Sequence, residues 1–209
     1  MRAVLIACLL ASLAACGKDA ASGQTGSGQT KRTTDELVRE QERFDAERKP
    51  QKVVEALGIK PGSRVADIGA SSGLLTLHLA RAVKPNGKVV ATDIDGAVLE
   101  LLRARLQNAG LADMVEPKVV GPDEPGLEND AFDAILLAEV DQYFSDGVSW
   151  IKNATKALKP GGRIVISNRI HHRQKSMASA EGAGLTLIDE STPVPTHFIA
   201  VFTAGEVKQ

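Results

Sequence analysis

Hydrophobic residues recur along this chain first at helical spacing and then in an alternation of strand and helix. Thr34-Asp35-Glu36-Leu37 opens a helix with acidic residues in its first turn. Pro50 fits the first turn of a second helix, through Val53, Val54 and Leu57, which Gly58 ends. Arg64-Val65-Ala66-Asp67-Ile68 predicts a strand after the turn Pro61-Gly62. Leu75, Leu79, Ala82 and Val83 share one helical face, stopped by Pro85-Asn86-Gly87. Lys88 to Thr92 predicts a second strand. Val98, Leu101, Leu102, Arg105 and Leu106 form the next helical stripe, ending at Gly110. Val115 to Val120 predicts a third strand. Phe132 to Ala138 is nearly all apolar, as a strand buried on both faces is. Val148, Ile151, Ala154 and Leu158 mark a helix that Pro160-Gly161-Gly162 stops, before a fifth strand at Ile164 to Ile166. Leu185 to Ile188 and Phe198 to Phe202 predict a final antiparallel pair. The expectation is an α/β, doubly wound, mostly parallel seven-stranded sheet with an antiparallel last strand. Ligands of such sheets bind at the carboxyl ends of the strands, where strand order reverses.

The start of the chain departs from this pattern. Arg2 precedes an apolar run from Ala3 to Ala15, too short to span a bilayer as a helix. It closes on Leu13-Ala14-Ala15-Cys16, which resembles the lipobox of bacterial lipoproteins. The resemblance implies a signal peptide over 1–15, cleavage before Cys16, and acylation of that thiol as a membrane anchor. Gly17 at the next position implies the outer membrane in a two-membrane cell, so the expected location is the periplasmic face. Gly17 to Arg32 holds only small or polar residues, so 16–33 reads as the lipidated cysteine plus a flexible linker, and 34–209 as one domain.

Composition narrows the chemistry. The net charge is -1, which offers no field to attract nucleic acid. The two cysteines, Cys8 and Cys16, both precede the domain. It therefore has none for a disulfide, a zinc site or a thiol nucleophile. His171-His172 follows the fifth strand, but adjacent histidines rarely serve one metal and no acid-rich partner set is near, so a solvated loop and no metal are expected. His78 is expected on the outer face of its helix, and His197 at a strand start.

The densest chemical signal follows the first strand, in Asp67-Ile68-Gly69-Ala70-Ser71-Ser72-Gly73. Gly69 and Gly73 allow a tight turn and close approach of a ligand to bare backbone. A helix beginning near Ser72 would point free amides at that ligand. Twenty residues beyond Gly73 lies Asp93, where an acid can accept both ribose hydroxyls of an adenosine. This run resembles the first motif of the class I S-adenosylmethionine-dependent methyltransferases, with Ser71 in place of the middle glycine. Phe132 to Leu137 resembles that family's fourth strand, and Ala157 to Arg163 its turn into the fifth. The similarity covers about Pro50 to Phe202. It implies S-adenosylmethionine as cofactor. By position, Asp67 would hold the amino group, Gly69, Ala70, Ser71 and Gly73 would line the methionine portion, Asp93 would take the ribose, and Ile94 would pack on the adenine. Asp123 is either the acid that meets the adenine amino group or a solvated loop acid beside Glu124. Ser71 will be strained if it needs a positive φ. A dinucleotide fits less well, because Ser71 and Leu74 stand where its fingerprint has glycines.

The acceptor side is thinner. After the fourth strand come Glu139, Asp141 and Tyr143. The resemblance implies that Glu139 touches the methionine part. Asp141 or Tyr143 either orients or deprotonates an acceptor, or simply caps the next helix and joins the core. Two functions stay open. One is an anchored methyltransferase acting on a small molecule, lipid or envelope component. The other is a non-catalytic lipoprotein that binds an adenosyl ligand or a partner protein.

Overall fold

The computed structural model describes residues 32–205. The expected signal peptide 1–15, Cys16 and the linker up to Lys31 lie outside the described residues. Two helices lead into the fold, α1 (Thr34–Arg48) and α2 (Pro50–Leu57). Thr33 and Glu36 close a reciprocal capping box at the start of α1, and Gly58, at φ 61°, ends α2. Seven strands follow: β1 (Arg64–Ile68), β2 (Lys88–Asp93), β3 (Val115–Val119), β4 (Phe132–Ala138), β5 (Leu158–Arg169), β6 (Leu185–Val194) and β7 (His197–Ala204). Between them run α3 (Thr76–Val83), α4 (Gly96–Asn108), α5 (Gly147–Thr155) and α6 (Arg173–Gly182). The sheet order is β3-β2-β1-β4-β5-β7-β6, and β7 alone runs antiparallel to its neighbours.

Alternation along the central strands divides the core in two. Val65, Val89, Ala91, Leu136 and Val165 point to one face, against α2, α3 and α4. Ala66, Ile68, Val90, Ile135, Leu137 and Ile166 point to the other, against α5 and α6. Both clusters are closed by residues between Val53 and Phe202. Strand order reverses between β1 and β4, so the crevice of the sheet opens where these two strands end.

Several elements differ from expectation. α3 begins at Thr76, not near Ser72, because residues 72–75 form turns. Leu158 belongs to β5 rather than α5: the helix stops at Thr155, and Lys159 to Gly162 continue the strand past a register shift at Phe132/Ala134. Helix α6 replaces the loop expected after β5. It buries only Ser176, Met177 and Ala180, too small a stripe to show in the hydrophobic pattern. His78 is buried, not outward, because α1 lies over α3 and sets Asp45 Oδ1 2.7 Å from His78 Nε2.

One buried cation ties α1 to this frame. Arg105 on α4 donates from Nε to the carbonyl of Ser72 at 2.9 Å and from Nη1 to that of Leu37 at 2.9 Å, and its Nη2 pairs with Glu40. It is 3% exposed. Arg105→Ala would remove the donor to the Ser72 carbonyl and leave Glu40 with Arg32 alone. We expect it to lower unfolding free energy by about 3 kcal/mol, read from urea denaturation, with no change in secondary structure content.

Candidate cofactor and acceptor site

The loop after β1 is shaped by close approach. Gly69 and Gly73 have φ of 69° and 84°. A Cβ on Gly69 would sit 2.7 Å from Val140 Cγ2, and one on Gly73 2.8 Å from Leu102 Cγ. Ser71 also has a positive φ, 50°, a region that costs an L residue about 1–2 kcal/mol. Its N–H donates to Asp93 Oδ2 at 2.9 Å, which helps hold that conformation. Asp93 Oδ1 accepts from the N–H of Asp95 at 3.0 Å. Two backbone amides thus fix the carboxylate at the end of β2, and each oxygen keeps a further lone pair for a hydroxyl donor.

Two cavities meet at this loop. The larger, about 370 Å³, is bordered by Gly69, Ser71, Thr92, Asp93, Ile94, Val120 to Pro122, Glu124, Glu139, Tyr143 and Trp150. The smaller, about 210 Å³, is bordered by Phe44, Arg48, Asp67, Gly69 to Ser72, Leu75 and Glu139. Gly69, Ser71 and Glu139 belong to both, so the two form one cleft. Of the expected residues, Gly73 packs on Leu102 instead of lining the cleft, and Asp123 accepts from Ser145 Oγ at 2.7 Å while Glu124 takes the wall. Thr92 Oγ1 and Trp150 Nε1 are buried at the larger cavity, and Arg48 Nε at the smaller, with no hydrogen-bond partner among the described residues. A nucleoside with a charged amino-acid tail fits such a cleft: it supplies hydroxyls for Asp93, a flat face for Ile94 and a carboxylate for Arg48.

Charges sort along the cleft. Asp67 is buried, and this burial, with the nearby charge of Asp93, pushes its carboxyl up to about 7 against a 2.7 Å hydrogen bond from Thr76. Burial also pushes the Glu139 carboxyl up, but Arg48 and Arg169 outweigh it and hold the group below the usual range. Glu139 stands at φ 50° after β4 and pairs with Arg48, and with Arg169 Nε at 2.9 Å. His197 Nε2 lies 3.7 Å from Glu139 Oε1, buried and without a hydrogen bond among the described residues. Burial and the charge of Arg48 lower its pKa, so the imidazole is neutral at neutral pH. Sequence reasoning missed Arg48 and His197. Both come from elements remote in sequence, and only a contact with Glu139 marks them.

Asp141 and Tyr143 part company. Asp141 is buried and accepts from Asn168 Nδ2 at 2.7 Å and from Ser176 Oγ. It caps nothing: Asp146 caps α5. Tyr143 is 80% exposed, at the rim of the larger cavity, rather than in the core. His171 and His172 form a short turn leading into α6, outside the cleft.

Residues 66–164 match the family model described as a methyltransferase domain. Over those residues the chain is similar to methyltransferase domains. The chain is 30% identical over 113 residues to the ubiquinone/menaquinone biosynthesis C-methyltransferase UbiE of Proteus mirabilis, covering 54% of this chain and 45% of that one. The chain thus spans about half the length of the curated relatives it matches. A SAM-dependent methyltransferase from Aquifex aeolicus superposes with a TM-score of 0.72 at 18% identity, over 83% of this chain and all of that one. Geranyl diphosphate C-methyltransferase from Streptomyces coelicolor, solved with Mg2+, geranyl diphosphate and S-adenosyl-L-homocysteine, gives 0.65 at 13% identity over 86% of each chain. These last two likenesses show the fold.

Two measurements test the site. Gly69→Ala adds a Cβ against Val140 in a left-handed backbone and is expected to weaken S-adenosylhomocysteine binding at least about tenfold by calorimetry. Asp67 must ionise to accept an ammonium. Affinity for S-adenosylhomocysteine should therefore fall by up to about tenfold per unit as pH drops below about 7, a slope that Asp67→Asn removes. The same shift works oppositely on stability: the neutral carboxyl's contribution is full below about pH 4 and fades as pH rises through about 7.

Proposed function

We propose that this chain is an S-adenosylmethionine-dependent methyltransferase held at a membrane by acylated Cys16. The observation that carries the enzymatic part is Asp93. Its carboxylate, fixed by the amides of Ser71 and Asp95, stands at the border of a cavity with Ile94 beside it. Asp93 accepts the ribose hydroxyls, Ile94 covers the adenine, and Arg48 takes the methionine carboxylate. Asp67, once ionised, takes the ammonium, and Glu139 separates the cofactor end of the cleft from the acceptor end. When bound, S-adenosylmethionine would supply an electrophilic sulfonium methyl group, with the thioether as its leaving group. The protein's part is alignment, since displacement at a sulfonium needs position more than a base. A proton leaving the acceptor goes to water at the open rim. Tyr143, at that rim, orients the acceptor.

The anchoring part rests on Leu13-Ala14-Ala15-Cys16 alone. On that reading the domain sits at the periplasmic face of the outer membrane in a two-membrane cell. The acceptor is then a small molecule, a lipid or an envelope component.

Calorimetry on the domain from Arg32 tests the enzyme reading. We expect micromolar binding of S-adenosylmethionine and S-adenosylhomocysteine, weakened on the order of 100-fold by Asp93→Ala. No binding to a folded domain would replace the enzyme with a scaffold. For the anchor, Cys16→Ser should move the full-length chain from the detergent phase to the aqueous phase.

A further inference from the structure

Arg48 and His197 face the same oxygen. Arg48 Nη1 donates to Glu139 Oε1, and His197 Nε2 lies 3.7 Å from that atom, too far for a hydrogen bond. The other oxygen, Oε2, is taken by Arg169 Nε at 2.9 Å. The Nε2 of His197 is buried with no hydrogen-bond partner among the described residues. Its Nδ1 is 2.8 Å from the hydroxyl of Thr196, a group that accepts as readily as it donates. His197 borders neither cavity of the cleft, but Arg48 and Glu139 both border the smaller one.

Charge decides what this cluster holds. His197 opens β7 opposite Arg169 of β5 and the uncharged Val194 of β6, with Glu139 from the turn after β4 and Arg48 from α1. Two guanidiniums against one carboxylate leave a net charge of +1 beside the ring. Burial and that excess keep the imidazole neutral. The cofactor's carboxylate, at Arg48 Nε in the smaller cavity, brings the local charge from +1 to 0. A proton on His197 restores it. Arg48, drawn toward the carboxylate, also gives up part of its hold on Oε1. A shift of about 0.8 Å then brings Oε1 to a charge-assisted bond with Nε2–H.

We infer that His197 takes up a proton when the cofactor's carboxylate binds Arg48, and holds Glu139 in place of Arg48. The inference deepens the methyltransferase reading and rests on it. The proton comes from water and stays on the ring, whose Nε2–H donates to Glu139 and whose Nδ1–H donates to Thr196. His197 is thus a positioning residue that acts through Glu139, the side chain shared by both cavities. It also makes the site sense a carboxylate, since a ligand without one leaves the ring neutral. Uptake by His197 favours binding as pH falls. This is opposite in sign to the ionisation of Asp67, so the net slope of affinity against pH is shallower than Asp67 alone would give.

The test is nitrogen-15 NMR of the histidine rings across their titration range, in the domain from Arg32, which contains both core clusters. His197→Gln identifies the signal of His197 among the four histidines. Saturation with S-adenosylhomocysteine should raise its midpoint by at least about one pH unit, a tenfold tighter hold on the proton. The decarboxylated analogue, which keeps the ammonium, should leave the midpoint where it is. Arg48→Gln should raise the midpoint in the ligand-free domain, because one positive neighbour is gone. A midpoint unmoved or lowered in a domain saturated with S-adenosylhomocysteine would overturn the inference, as would an equal rise with the decarboxylated analogue. Failure to take up S-adenosylhomocysteine would instead strike the cofactor reading beneath it.

Discussion

Everything in this molecule that touches chemistry depends on the contact of Gly69 with Val140. They follow β1 and β4, the strands between which sheet order reverses. Parallel strands diverge there, and each sends its next residues to an opposite side. With no side chain on Gly69, Val140 closes against bare backbone, 2.7 Å from where a Cβ would be. That closure brings Glu139 beside the loop of Ser71, and so joins two cavities into one cleft. The loop itself is held from the other side. Ser71 donates to Asp93 and the Ser72 carbonyl accepts from Arg105, so β2 and α4 both grip it.

The cleft is electrically graded. At one end the acids Asp93 and Glu124 border the same cavity as apolar Ile94. At the other, arginines and a neutral histidine crowd one carboxylate. Glu139 sits between and stays ionised because two guanidiniums outweigh its burial. A ligand with a polar nucleoside at one end and a zwitterion at the other meets complementary surroundings along its length.

What could be read from the sequence follows from how local each signal is. β4 was legible to the residue because a strand buried on both faces is nearly all apolar, and β1 because the turn Pro61-Gly62 and the glycine-rich loop bracket it. Gly69, Ser71 and Asp93 were legible because backbone conformation and strand ends are local matters. The left-handed φ of Ser71, foreseen as a source of strain, is present. Helix α6 was not legible, since it packs with a serine, a methionine and an alanine. The far half of β6 was missed because Asp189 to Thr192 are polar and largely exposed at the sheet edge. The outward placing of His78 and the core alternative for Tyr143 fail for opposite reasons. A helix from another part of the chain covers one, and no element covers the other. The cluster of Arg48, Glu139, Arg169 and His197 draws on α1, the turn after β4, the end of β5 and the start of β7. No spacing rule joins four such positions.

Trp150 has an optical consequence. It lines the larger cavity, stacked on Phe144 with ring centroids 4.0 Å apart, and it is the chain's one tryptophan. The indole emission of the whole protein therefore originates at the wall of the larger cavity. The spectrum's wavelength registers how wet that wall is. The molecule thus carries its own dye, placed by folding at the spot where occupancy would first be felt.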